Sequence, residues 1–161
     1  MAEGDDSFSK SIEQENPTVP PPPRPTLLAF NALLLSYDAY GNFVVQHVLN
    51  LNNLRCTYDI AVSLRGHYVE LSCTHGGRYI VEKLLEKQET GVLVVAELLE
   101  CERDKLLRLA RSVYGNFVVV TALKVTREDL FRGLVNKLKP LLPLFRSHQS
   151  ITIAEILESV P

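Results

Sequence analysis

The sequence predicts an all-α protein, an α-solenoid of about three helical repeats with a C-terminal cap and a disordered Pro-rich leader in front. Three observations carry that expectation. A ten-residue template recurs three times, offset by 36 residues and then by 38. Apolar residues within each copy fall at helical spacing. At residue 27 the composition changes from proline and acid to leucine, valine and alanine. A period of this length, with two helices per unit, is typical of stacks in which each unit buries its apolar face only against its neighbours.

Residues 1–26 set Glu3, Asp5, Asp6, Glu13 and Glu15 against Lys10 and Arg24, and they hold six of the nine prolines. The run Pro17-Thr18-Val19-Pro20-Pro21-Pro22-Pro23-Arg24-Pro25 offers few backbone donors to a helix and favours an extended chain, so 1–26 is expected to be a disordered leader. From 27 onward the expected units are about 27–52, 53–88 and 89–125, with a cap over 126–161.

The first template copy is Tyr40-Gly41-Asn42-Phe43-Val44-Val45-Gln46-His47-Val48-Leu49. The second is Gly76-Gly77-Arg78-Tyr79-Ile80-Val81-Glu82-Lys83-Leu84-Leu85, and the third is Tyr114-Gly115-Asn116-Phe117-Val118-Val119-Val120-Thr121-Ala122-Leu123. Each follows a short helical run ending in a leucine and a small residue. Val44, Val45, Val48 and Leu49 form a stripe suited to burial between adjacent units. Tyr40 and Tyr114 are expected to pack near the helix starts. Shifting Asp59–Leu64 back by 36 lands on Pro23–Leu28, where a helix cannot begin normally, so the first unit is expected to be incomplete. Toward the C-terminus, Glu128 to Lys139 reads as a helix interrupted by Pro140, and Ser150 to Val160 as a last short helix. Such a segment suits a cap, since a terminal unit must cover the final apolar face.

Bulk properties narrow the function classes. The net charge is -2, of which the leader holds -3 and the remainder about +1, so a strongly electrostatic nucleic-acid binder is not indicated. A near-neutral domain still binds single strands by stacking and base-edge contacts. No window approaches eighteen apolar residues, and Met1 to Lys10 lacks a signal peptide's apolar run, which points to a cytosolic or nuclear address, with the cytoplasm expected. Cys56, Cys73 and Cys101 form no C-x-x-C pair, and His47, His67, His75 and His148 show no zinc spacing, so packed, reduced thiols are expected and no metal. His75-Gly76-Gly77 is similar to an esterase oxyanion-hole motif, but no G-x-S-x-G elbow accompanies it. No phosphate loop or paired-carboxylate site is present. No enzyme, cofactor or small-molecule substrate is expected.

The segments Asp38 to Leu49 and Arg65-Gly66-His67-Tyr68-Val69-Glu70-Leu71-Ser72 resemble plant-type repeats of the Pumilio (PUF) family. In that family eight repeats form a crescent, and one helix of each lines the concave face. Three side chains per repeat read one base of single-stranded RNA: two at its edge and one by stacking. The resemblance implies a partial Pumilio domain over 27–161. It assigns base-edge contacts to Asn42 and Gln46, to Arg78 and Glu82, and to Asn116, and stacking to Phe43, Tyr79 and Phe117. Asn with Gln reads uracil in the family and Ser with Glu reads guanine, so the order here is similar to a U, G, U reading set. Two positions depart from the family. Arg78 stands where a small polar residue is usual, and its bulk either blocks the base or reaches a phosphate. Val120 replaces the last polar reader, which weakens discrimination there. The implied function is binding of a UGU-like element in the 3′ untranslated region of messenger RNA, regulating translation or stability, with regulatory proteins as further partners on the convex face. A protein-binding helical adaptor, or a truncated product with weak RNA binding, are the alternatives.

Overall fold

The computed structural model describes residues 27–161, so the expected leader over 1–26 lies outside the described residues. Ten α-helices and one 3-10 helix make up the regular structure, with no strand among the described residues. They are α1 (Leu27–Tyr37), α2 (Gly41–Asn50), α3 (Leu54–Ser63), α4 (Tyr68–Ser72), α5 (His75–Leu85), α6 (Gln88–Glu100), α7 (Arg103–Arg111), α8 (Gly115–Val125), α9 (Glu128–Leu138), the 3-10 turn Lys139–Leu144 and α10 (Ile151–Ser159).

The helices stack in rows. The row α2, α5, α8 carries the three template copies. A second row is α3, α6 and α9, and the short α4 packs against α5, α6, α7 and α8. A full unit therefore has three helices, α3–α5 or α6–α8, where the spacing predicted two. The additional break falls at Arg65-Gly66-His67, where Gly66 adopts φ +83 and ends the α3 turn. The helix that follows, α4, is five residues long, too short for periodicity to separate it from its neighbours. Tyr68 locks this corner: its buried hydroxyl donates to Ala61 O at 2.5 Å, and burial pushes its pKa upward.

Behind the third unit, α9 lies on α6 and α10 on α8. Lys137 of α9 donates to Leu98 O (2.9 Å), Leu99 O (2.7 Å) and Cys101 O, satisfying carbonyls that the end of α6 leaves open. Leu134, Leu138, Leu141, Phe145, Ile153 and Leu157 are buried and continue the apolar core of the stack. Of the three thiols, Cys56 and Cys101 are half-buried. Cys73 is exposed, against expectation, because it sits at the C-terminal end of α4, outside the packed face.

Every template helix starts in the same way. Asp38, Thr74 and Ser112 occupy one register position, and each side chain accepts backbone N–H groups at the helix start. Asp38 Oδ2 takes those of Tyr40 (2.9 Å) and Gly41 (2.6 Å), Thr74 Oγ1 that of Gly77 (3.0 Å), and Ser112 Oγ those of Tyr114 (3.3 Å) and Gly115 (3.1 Å). The glycine at the start of each copy is a matter of room. A Cβ on Gly41 would stand 2.9 Å from Leu35 O, one on Gly115 2.7 Å from Leu109 O, and one on Gly77 closer still to Leu71 O. The template helix thus passes directly over the last turn of the helix before it.

The valine stripe is buried unevenly. Val45 and Leu49 are buried, but Val44 is 50% exposed, whereas its register equivalents Ile80 and Val118 are fully buried. The preceding unit covers that position in the second and third units, and no described residue precedes the first. Tyr40 differs for the same reason: it is exposed rather than packed, while its equivalent Tyr114 meets His75 of the unit before it edge-on at 5.4 Å.

Two measurements follow. Ile80→Ala removes a side chain sealed between units and is expected to cost about 2–5 kcal/mol, and Val44→Ala at the same register less than about 0.5 kcal/mol, both read from urea unfolding midpoints. The second concerns pH. The N–H groups of Gly41, then Tyr40, hold the Asp38 carboxyl below its ordinary pKa. Its contribution to stability is therefore present above the unfolded-state pKa and lost as pH falls through the lower folded value. Asp38→Ala is expected to lower the midpoint at pH 7 and to lose less than the parent chain on acidification.

Candidate nucleic-acid interface

The helix-start geometry decides which side chains the inner row presents. Asn42 and Asn116 turn their amides back into the preceding turn. Asn42 Nδ2 donates to Asp38 O (2.8 Å) and Ala39 O (3.0 Å), and Asn116 Nδ2 to Ser112 O (2.8 Å) and Val113 O (2.9 Å). Both side chains are buried. Each is a clamp on its own helix start, with its amide protons engaged, and has only a carbonyl oxygen to offer a base. Gly76 of the next unit makes room for this clamp, since a Cβ there would run into Asn42 Oδ1. The glycines of His75-Gly76-Gly77 are accounted for by packing.

One residue further on, the side chains point outward. Phe43, Tyr79 and Phe117 are 60%, 37% and 46% exposed, on three neighbouring helices at one register position. Three partly exposed rings on one side of a stack are unusual, because rings at helical spacing normally bury themselves.

One turn beyond the rings the three units differ. Gln46 Nε2 donates to Asn42 Oδ1 at 3.0 Å, which leaves Gln46 its own carbonyl oxygen and its second amide proton. Glu82 accepts from Thr121 Oγ1 at 2.8 Å, a bond that crosses from α5 to α8. Val120 is half-buried against the apolar core and has no polar group to present.

Arg78 is the largest departure from a uniform row. Its guanidinium Cζ lies 4.1 Å from the centre of the Tyr79 ring and 4.2 Å from that of Phe117, between the two. Its Nη2 donates to Tyr79 Oη at 2.5 Å, and its buried Nε has no hydrogen-bond partner. Among the described residues Arg78 forms no ion pair; Lys105–Glu70 and Arg132–Asp129 lie elsewhere. Each cation–ring contact contributes about 0.5–1 kcal/mol at an exposed site. His75 meets the Tyr79 ring edge-on at 5.9 Å and completes the cluster.

The structure thus joins Asn42 to Gln46, gathers Arg78, Tyr79 and Phe117 into one stack, and ties Glu82 to Thr121 rather than to Arg78, one turn before it. Thr121, His75 and the capping trio Asp38, Thr74 and Ser112 were not among the sequence candidates. The trio was legible, because it recurs at the template's own offsets. Thr121 carries no such signal, since its partner is set by how α5 lies on α8. Among the described residues no three His, Cys, Asp or Glu side chains stand where they could hold a metal ion, and no single helix is long and apolar enough to cross a membrane.

No protein-family model matches the chain. Individual relatives do. The chain is 57% identical over 136 residues to Pumilio homolog 18 of Arabidopsis thaliana, a match covering 83% of this chain and 42% of the relative. It is 55% identical over 139 residues to pumilio homolog 20 of the same plant, with the same two coverages. The chain therefore spans about two fifths of the length of the curated relatives it matches. Among solved structures, the Puf4 RNA binding domain bound to the HO endonuclease RNA 3′ UTR recognition sequence matches with a TM-score of 0.72 at 26% identity, covering 80% of this chain and 43% of that one. PUF-8 in complex with PBE-RNA shares the fold at a TM-score of 0.71 and 19% identity, over 83% of this chain and 41% of its own. With the repeated template, the stacked three-helix units and these relatives in agreement, the chain belongs to the Pumilio family of repeat proteins.

Proposed function

We propose that residues 27–161 bind single-stranded RNA along the inner row α2, α5 and α8, in service of post-transcriptional control of messages through their 3′ untranslated regions. The observation that carries this reading is the register of three exposed rings, Phe43, Tyr79 and Phe117, on successive helices. An exposed ring is the kind of surface a base stacks on, and a base stacked on an aromatic side chain contributes about 1–3 kcal/mol. The 3′ UTR elements named for the Puf4 complexes support the choice of RNA over a protein ligand. On this reading 27–52, 53–88 and 89–125 are the repeats, 126–161 is the cap, and the cytoplasm is where the chain works.

Gln46 is the strongest edge reader. It is held by Asn42 yet keeps one donor and one acceptor, the pair that the edge of uracil requires. Glu82 stands where a carboxylate accepts from guanine, and Thr121 shares it. Asn116 supports the third helix start and offers a carbonyl oxygen, while Phe117 provides stacking. The charge of this part is near neutral, so affinity is expected to depend on stacking more than on counterion release, with a shallow salt dependence. Three bases leave little net affinity after the RNA is ordered, and a dissociation constant of about 1 μM or weaker is expected.

Fluorescence anisotropy with a short labelled UGU-containing RNA and a CCC control tests the reading. The chain is expected to prefer the UGU strand, and Gln46→Ala to reduce that preference by about tenfold, the size of one lost edge contact. Equal affinity for the two strands, or a preference untouched by Gln46→Ala, would sink base reading by this row.

A further inference from the structure

The space between Tyr79 and Phe117 is already filled. The Arg78 guanidinium carbon stands over both rings, 4.1 Å from the centre of one and 4.2 Å from that of the other. A base stacked between the same rings would need the same slab of space, so Arg78 and a base cannot both be there. We infer that Arg78 is an internal competitor for the base slot of the second unit, and that it leaves this slot silent while its neighbours read RNA. The inference rests on the RNA reading of the inner row and assigns to one residue the pattern of bases that the row distinguishes.

Several features hold the competitor in place. Arg78 donates to the hydroxyl of one of the rings it stacks on, so the Tyr79 face and the Tyr79 oxygen are occupied by the same side chain. His75 braces the Tyr79 ring from its edge. The carboxylate best placed to draw Arg78 away, Glu82 one turn further along α5, is engaged by Thr121. A base entering the slot would exchange two cation–ring contacts for two base–ring contacts, gains of similar size. It would also strand Arg78 without an ion-pair partner among the described residues. Little net free energy is left to favour the incoming base. The first unit has no such plug, because Asn42 is turned into its own helix start.

Arg78 therefore acts as a specificity-determining residue by exclusion. The expected recognition pattern is a read position opposite Gln46, an indifferent position opposite Tyr79, and stacking without strong discrimination opposite Phe117. Replacing Arg78 with a small residue opens the slot and gives Glu82 a base to face.

The test uses the full chain, Arg78→Ser and Arg78→Lys, with a UGU-containing RNA and the same strand made abasic at the middle nucleotide. The parent chain is expected to bind the two strands alike. Arg78→Ser is expected to bind the intact strand about tenfold or more tightly than the abasic one, the size of one recovered stacked base. Arg78→Lys keeps the charge but not the plane, and is expected to fall between them. A parent chain that already favours the intact strand as strongly as Arg78→Ser does would overturn the inference. So would Arg78→Ser binding both strands more weakly than the parent, the result expected of a phosphate contact. A measurement without RNA separates the two levels of the argument. The Arg78 side-chain NMR signals of the free parent chain are expected upfield of the other arginines, shifted by the two rings, and to return toward ordinary positions in Phe117→Leu. If no strand binds but the shift is present, the slot is filled as inferred and the RNA reading is what fails; an absent shift overturns the plug.

Discussion

The close passage of each template helix over the last turn of the helix before it is the constraint from which the rest follows. At Gly41, Gly77 and Gly115 there is no room for a side chain beside the carbonyls of Leu35, Leu71 and Leu109. That contact fixes the axial position of α2, α5 and α8, and capping by Asp38, Thr74 and Ser112 fixes their first turns. With start and height set, the rotation of each helix has one solution: the positions of Val45, Val81 and Val119 go inward, and those of Phe43, Tyr79 and Phe117 outward. The exposed aromatic row is thus a product of backbone packing, and the rings themselves contribute little to placing it.

The same scaffold serves three chemically different units. The amide pair Asn42–Gln46 is intact in the first, arginine and glutamate face different partners in the second, and valine ends the row in the third. None of these changes disturbs the backbone, because the glycine, capping and buried valine positions that set each helix are distinct from the positions that vary. A repeat protein can vary its recognition surface at low structural cost for this reason.

Much of this was legible in the sequence. The 36- and 38-residue offsets gave the stack and the start of each template helix, and the proline at 140 marked where α9 gives way to a 3-10 turn, while the capping residues recur at the same offsets without having been singled out. What could not be read was decided by contacts between units. The third helix per unit was hidden because α4 is one short turn beyond Gly66. The burial of Ile80 against the exposure of Val44 depends on what stands in front of each helix, and both positions look alike in the template. Arg78 could be seen to be out of place, but only the packing of α5 on α8 brings Phe117 to its second face.

The unevenness of burial along the stack has a consequence for how recognition and local order are linked. The helix that carries the amide pair Asn42–Gln46, α2, is the one whose apolar edge at Val44 is half exposed. Local opening is easiest where apolar packing is thinnest, so amides around Val44 should exchange sooner than those around the sealed Ile80 and Val118. A ligand strand lying across the row would cover that half-open edge, and its arrival would be felt at α2 as a gain of local order.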